Sequence, residues 1–334
     1  MMLAGQSAAV RDENPRAATK PPAWSRPAGI GLTLPAWVAD FVGCKRPKLI
    51  ARRASHSLEV RPGEHRALIT AIVPGAARLE ALDLQRRTLE AYLDIGEALS
   101  ELPARHPVRF WNFVPEIHAP AGDGLNRYMV FNAGRFAAYL QWYGRVSAFD
   151  RHVPTATGIG HDADDLVIHA LAADRPGVHI MNPRQRRPRR YSRGYGPFPP
   201  CFARATLLPS VDRAGVLVLI GGTAAVSGER SVYARDLHGQ TEETLRNLAR
   251  VVRGAASAYR ELFGRAPQSD PDPCRWVRSL RVYVADSGDA RVVADLLARR
   301  FGHLPAIEFL RADVCRPELL VEIEGTAEIS DGAP

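Results

Sequence analysis

The apolar positions of the chain fall into two series, each alternating between helical and extended periods. Residues 82–99 (LDLQRRTLEAYLDIGEAL) and 133–144 (AGRFAAYLQWYG) space their apolar side chains as helices do. Residues 106–117 (HPVRFWNFVPEI) and 165–173 (DLVIHALAA) read as strands. The order then returns. Segment 241–255 puts Leu245, Leu248, Val251 and Val252 on one helical face, with Glu242 and Glu243 in the first turn, where the helix dipole favours anions. Segment 277–286 alternates Leu280, Val282 and Val284 inward against Arg281 and Tyr283. A second helix is predicted over 290–301 and a closing strand over 319–329. Helix–strand–helix–strand occurring twice predicts an α/β fold of two modules, each a sheet packed with helices.

Three of the strand segments resemble one another: DLVIHALAA (165–173), VLVLIGGTAAV (216–226) and LLVEIEGTAEI (319–329). The last two match at Leu217/Leu320, Val218/Val321, Ile220/Ile323, Gly222/Gly325, Thr223/Thr326 and Ala224/Ala327. On this alignment Glu322 and Glu324 occupy the positions of Leu219 and Gly221 in one sibling and Ile168 and Ala170 in the other. Residues two apart on a strand share a face, roughly 7 Å from each other. If that face is buried, desolvation raises a carboxyl pKa and equips it for proton transfer near neutral pH. If it is a solvated sheet end, the glutamates are ordinary. We divide the chain into a loose arm (1–30), an N-terminal module (31–205) and a C-terminal module (206–330).

Composition narrows the picture. The 334 residues are 46% hydrophobic, ample for a buried core. No run of 18 apolar residues and no signal-peptide apolar stretch is present, so a cytoplasmic protein without membrane association is expected. Four scattered cysteines without CxxC spacing argue against a disulfide framework and a structural zinc site. GHDADD (160–165) is explained by a turn into the next strand, and no metal site is expected. GIG (158–160) lacks the context of a dinucleotide loop. The formal net charge is +8, and six arginines lie between residues 184 and 193. They belong to a loop, 182–204, that also holds Tyr191, Gly194, Gly196, Pro197, Pro199 and Pro200. Basic and aromatic residues interleaved in this way suit single-stranded RNA. A bent, stiff loop offering guanidinium forks suits a compact acid at least as well.

Several blocks together resemble the chorismatases, bacterial enzymes that remove pyruvate from chorismate. These are NRYMVFNAGRFAAY (126–139), PTATGIGHDADDLVIHALA (154–172), NPRQRRPRRYSRGYGPFPPCFARAT (182–206), LIGGTAAVSGE (219–229) and CRPELLVEIEG (315–325). The repeat ending in VEIEGTA is also similar to the YjgF-like fold, so two tandem YjgF-like modules are implied. The resemblance implies a small dicarboxylate substrate, chorismate, with neither cofactor nor nucleic-acid partner. It makes Glu322 the general acid on the enolpyruvyl methylene. Tyr191 and Arg193 would hold the carboxylates, with Arg135 anchoring the second and Arg204 beside them. Family branches yield 3-hydroxybenzoate, a hydrolytic diene diol, or 3- and 4-hydroxybenzoate together. Cys315 and Gly228 resemble the 3-hydroxybenzoate branch, and alanines at both would resemble the hydrolytic one. A pocket-wall change worth about 1–3 kcal/mol could redirect attack between water and the ring hydroxyl. Single YjgF-like modules form trimers with interfacial sites, and duplication within one chain makes a monomer the expectation. The rivals are the other product branches, an RNA-binding protein, and imine-deaminating chemistry.

Overall fold

The order strand–strand–helix–strand–helix–strand–strand occurs twice, with one short helix (Phe149–His152) added to the first winding and a short hairpin to the second. The computed structural model describes residues 34–43, 48–52, 55–209, 215–264, 266–267 and 272–331, so the arm over 1–30 and Cys44 lie outside the described residues. The first half contains α1 (Trp37–Val42), β1 (Lys48–Arg52), β2 (Ser57–Pro62), β3 (Arg66–Val73), α2 (Ala81–Ser100), β4 (His106–Pro115), α3 (Arg127–Tyr143), α4 (Phe149–His152), β5 (Thr155–His161) and β6 (Leu166–Ala173). Its six strands form one sheet in the order β1-β2-β3-β6-β4-β5. The second half contains β7 (Val178–Ile180), β8 (Ala205–Pro209), β9 (Val216–Ala224), the short hairpin β10 (Val226–Ser227) and β11 (Arg230–Ser231), α5 (Leu237–Phe263), β12 (Val277–Val284), α6 (Ala290–Phe301), β13 (Ile307–Arg311) and β14 (Val321–Ile329). Its sheet runs β13-β12-β14-β9-β8-β7. This sheet begins at Val178, upstream of the 205/206 division.

Each half makes one parallel pair, β4 with β5 and β12 with β13, through a crossover helix. The last strand of each then inserts antiparallel into the middle of its sheet. This topology corrects the sequence alignment. The counterpart of β14 is β6, whereas β9 is its hydrogen-bonded neighbour, with Glu322 opposite Ala224. Ile168 and Ala170 face the helix-side core, so they do not share the face of Glu322 and Glu324. The apolar residues β6 offers to the layer between the sheets are Val167, Leu171 and Ala173, with His169 between them against Phe113.

The helices end where local chemistry dictates. Asn126 accepts the Met129 N–H at the start of α3, and Asp236 accepts the Gly239 N–H at the start of α5. Gly264 closes α5 in the left-handed region at φ 65°. Both helices therefore begin before the sequence periodicity becomes visible.

Helices α2 and α3 cover the outer face of the first sheet, where Tyr92, Ile95, Phe110 and Phe131 are buried together. On the second sheet α5 buries Leu245, Leu248, Val251 and Val252, the stripe read from sequence. The inner faces of the two sheets meet over Val108, Trp111, Val167, Leu171, Leu219 and Tyr283. Each such large apolar side chain contributes about 1.5–3 kcal/mol by leaving water. Arg281 and Tyr283, expected on the outward face of β12, are buried because the other sheet covers them.

A candidate active site between the two sheets

Beyond the apolar layer the gap between the sheets opens into a cavity of about 240 Å³. Both halves and the basic loop wall it. Ala156 and Gly158 come from β5, Tyr128, Met129 and Arg135 from α3, and Gly222 and Glu322 from β9 and β14. Tyr191, Tyr195, Phe202 and Arg204 come from the loop, and Cys315 and Arg316 from the connection into β14.

Glu322 and Glu324 share the inner face of β14, and both are buried. Their surroundings differ sharply. Glu324 accepts from Arg109 Nη2 at 2.7 Å, Trp111 Nε1 at 2.9 Å, Thr157 Oγ1 at 2.5 Å and Tyr283 Oη at 3.1 Å. No hydrogen bond among the described residues reaches the Glu322 carboxyl, which borders the cavity. Burial, reinforced by the negative charge of Glu324, pushes its pKa up to about 8, against the opposing pull of Arg204 and Arg109. At neutral pH it is a carboxylic acid, able to give a proton.

Glycine at 222 makes room for that acid. A Cβ on Gly222 would stand 2.0 Å from Glu322 Oε1. The same glycine donates its N–H to Thr157 Oγ1 at 3.1 Å, and Thr157 also accepts from Arg109 while donating to Glu324. Thr157 thus pins the seat of one glutamate to the partner shell of the other.

Three guanidinium groups line the wall. Arg135 is 1% exposed and donates to Asn132 Oδ1 at 2.7 Å, and its Nε has no hydrogen-bond partner among the described residues. Arg204 donates to the Tyr191 hydroxyl at 2.8 Å and lies over the Phe202 ring, again with Nε unpaired among the described residues. Arg316 lies 4.0 Å over Tyr195 and 5.5 Å over Tyr191, held by the Glu229 carbonyl and Ser231 Oγ at 2.8 and 3.0 Å. Unpaired guanidinium donors beside a cavity are suited to carboxylates.

Of the residues singled out from sequence, Glu322, Tyr191, Arg135, Arg204 and Cys315 meet here. Burial pushes the Cys315 thiol up to about 12, with Glu322 adding to the shift, so it is a neutral wall group and not a thiolate. Two others do not line the cavity. Arg193 is exposed at the start of a single 3₁₀ turn, of which Gly194 and Tyr195 reach the wall. Gly228 sits at φ 59° in the β10–β11 turn, bonded through its backbone to Arg184 and Arg186. A Cβ on it would meet nothing within 4 Å, so its glycine serves the turn and not the pocket wall. Arg316 and Tyr128 escaped the sequence reading. Arg316 directly follows Cys315, and that adjacency was its only signal.

The rest of the basic loop is largely neutralised from within. Arg184 pairs with Glu243 at 2.5 Å, Arg186 with Glu229 at 2.9 Å, and Arg187 and Arg189 with Asp150 at 2.7 and 2.5 Å. GHDADD is likewise a braced turn: Asp162 pairs with Arg311, Asp164 with Arg78, and Asp165 accepts the Gly75 N–H.

Residues 50–172 match the family model for the N-terminal part of FkbO/Hyg5-like chorismatases. A 3-hydroxybenzoate synthase of Streptomyces hygroscopicus is 36% identical over 241 residues, 71% of this chain and 68% of that protein. The chain belongs to the chorismatase family. A chorismatase of Streptomyces rapamycinicus is 34% identical over the same length, 69% of that protein. A crystal structure of a chorismatase, 29% identical, superposes with a TM-score of 0.67 over 85% of this chain and 80% of that one. At 85% of this chain the structural similarity reaches into both halves of the fold. Among the described residues no helix is long and apolar enough to cross a membrane.

Proposed function

We propose that this chorismatase cleaves chorismate into pyruvate and 3-hydroxybenzoate, with Glu322 as the proton donor. The observation that carries the reading is a buried carboxyl at about pKa 8, without a hydrogen-bond partner among the described residues, on the wall of a cavity rimmed by guanidinium groups. Arg135, Arg204 and Arg316 hold the two carboxylates of the substrate, and Tyr191 fixes Arg204. Glu322 protonates the enolpyruvyl methylene, and positive charge develops at the adjoining ether carbon. The ether bond to the ring then breaks, and its electron pair goes to the departing pyruvate carbonyl oxygen. The neighbouring ring hydroxyl attacks the vacated ring carbon and gives up its proton. The oxygen's bond to its original carbon then breaks, the oxygen takes up a proton to become the phenol, and loss of the hydrogen on the newly bonded carbon as a proton aromatises the ring. One proton remains on the pyruvate methyl, and no water is consumed.

The name of the 36% identical relative and the cysteine at 315 support the 3-hydroxybenzoate outcome over the hydrolytic one. Purified protein incubated with chorismate should release pyruvate and 3-hydroxybenzoate in equal amounts, separated by chromatography. A diene diol or 4-hydroxybenzoate in their place would reassign the branch. No pyruvate at all would end the proposal. Glu322→Gln should retain chorismate binding and lower turnover by about 10²–10⁴-fold, the usual worth of a positioned acid. A rate within about tenfold of the parent would remove Glu322 from that role.

A further inference from the structure

A second concavity, about 570 Å³, shares no lining residue with the cavity between the sheets. Five arginines line it, together with Ala249 and Asp272. Arg246, Arg250 and Arg253 recur at i, i+4 and i+7 along α5, which sets them on one face in a row about 10 Å long. Arg184 reaches it from the root of the basic loop and Arg300 from the last turn of α6. Carboxylates are scarce here. Glu243 is shared between Arg184 at 2.5 Å and Arg246 at 3.0 Å. No carboxylate among the described residues pairs with Arg250, Arg253 or Arg300. Asp272 is the one acid of the lining among the described residues, and its carboxyl accepts the Cys274 N–H at 3.0 Å. Five guanidinium groups against Glu243 and Asp272 leave a surplus of three positive charges in one hollow. Such a concentration of like charge repels itself unless an anion fills it.

We propose that this groove binds an oligophosphate group, two or more linked phosphates carried by a small molecule. Guanidinium forks match phosphate oxygens bidentately. The row on α5 is longer than one phosphate, and a single carboxylate would leave most of the surplus charge unmet. Single-stranded RNA is disfavoured because the lining holds no aromatic side chain on which a base could stack. The proposal does not depend on what the chain does to chorismate.

Titration calorimetry with inorganic pyrophosphate, inorganic phosphate and a single-stranded oligonucleotide tests it on the full chain. Pyrophosphate should bind the parent protein more tightly than phosphate does, and weaken as salt rises. Arg250→Ala/Arg300→Ala should bind pyrophosphate about tenfold or more weakly, each lost charge-assisted contact contributing. Both side chains are exposed, so the variant should keep its circular dichroism spectrum and its chorismate turnover. No pyrophosphate binding, equal affinity in the double variant, or parity between phosphate and pyrophosphate would overturn the proposal. So would an oligonucleotide that binds more tightly and displaces pyrophosphate.

Discussion

Glu322 and Glu324 are separated by one residue, yet one is saturated with donors and the other has none among the described residues. Two neighbouring carboxyls driven apart by their environments are a recurrent way to obtain an acid at neutral pH. The pH dependence follows. In the proposed mechanism the protonated form is the donor, so kcat should hold below about pH 8 and fall as pH climbs through that value. Stability carries the same signature. A raised folded-state pKa means the native protein keeps a proton that the unfolded chain releases at about 4.3. Stability from this group is therefore complete below about pH 4 and declines as pH rises toward 8. Glu322→Gln removes that decline, so its melting temperature should change less between about pH 5 and pH 8 than the parent's. Equal losses in the two proteins would show that the carboxyl is not desolvated. At this scale the sequence marked the acid because a glutamate interrupts an apolar strand pattern. It did not show that Arg193 and Gly228 lie off the cavity wall, since an arginine-rich turn does not reveal which guanidinium faces inward and a turn glycine looks like a pocket glycine.

Elements were read best where one face alone meets a core. Helix α6 spans 290–301, as its apolar period predicts, and α2 exceeds the predicted 82–99 by one residue at each end. Helices α3 and α5 begin earlier than the periodicity predicts because their caps, Asn126 and Asp236, are single polar residues outside the periodic stretch. The mistaken pairing of 216–226 with 319–329 has a physical cause. Strands β9 and β14 lie side by side, with one face on α5 and the other on the opposing sheet, so packing demands similar residues of both. Their likeness reports a shared environment, not corresponding places in the repeat. At the site their closeness is set by Gly222, where a methyl would fall 2.0 Å from the Glu322 carboxyl oxygen. Gly222→Ala should displace that carboxyl and reduce kcat on the order of 10²-fold, the usual penalty for about 1 Å of misplacement. Chorismate binding, assigned to the arginines in the proposed mechanism, should change much less. A parent-like rate in this variant would show that the acid needs no such seat.

The molecule as a whole is joined through Arg109. It rises from β4 in the first sheet, donates to the Ile220 carbonyl in the second, and pairs with Glu324 at 2.7 Å. Both members of that pair are almost fully buried. Arg109→Met leaves a buried carboxylate without its counter-charge, at a cost of about 3–5 kcal/mol. The two halves share the apolar layer around Trp111, so calorimetry should show one unfolding transition, lowered and still single in the variant. Two separated transitions would mean that the halves hold themselves up independently. This coupling was invisible in the sequence, since its partners lie 215 residues apart and nothing local in either segment announces the other.

The two windings of the chain differ in what their last strands present to each other. Strand β6, in the place corresponding to β14, presents Val167 and Leu171 to the layer between the sheets and carries no acid there. The cavity is nevertheless walled by residues of both halves, Tyr128, Arg135 and Gly158 from the first and Gly222 and Glu322 from the second. Neither half alone encloses it, so dividing the chain would open the cavity to water.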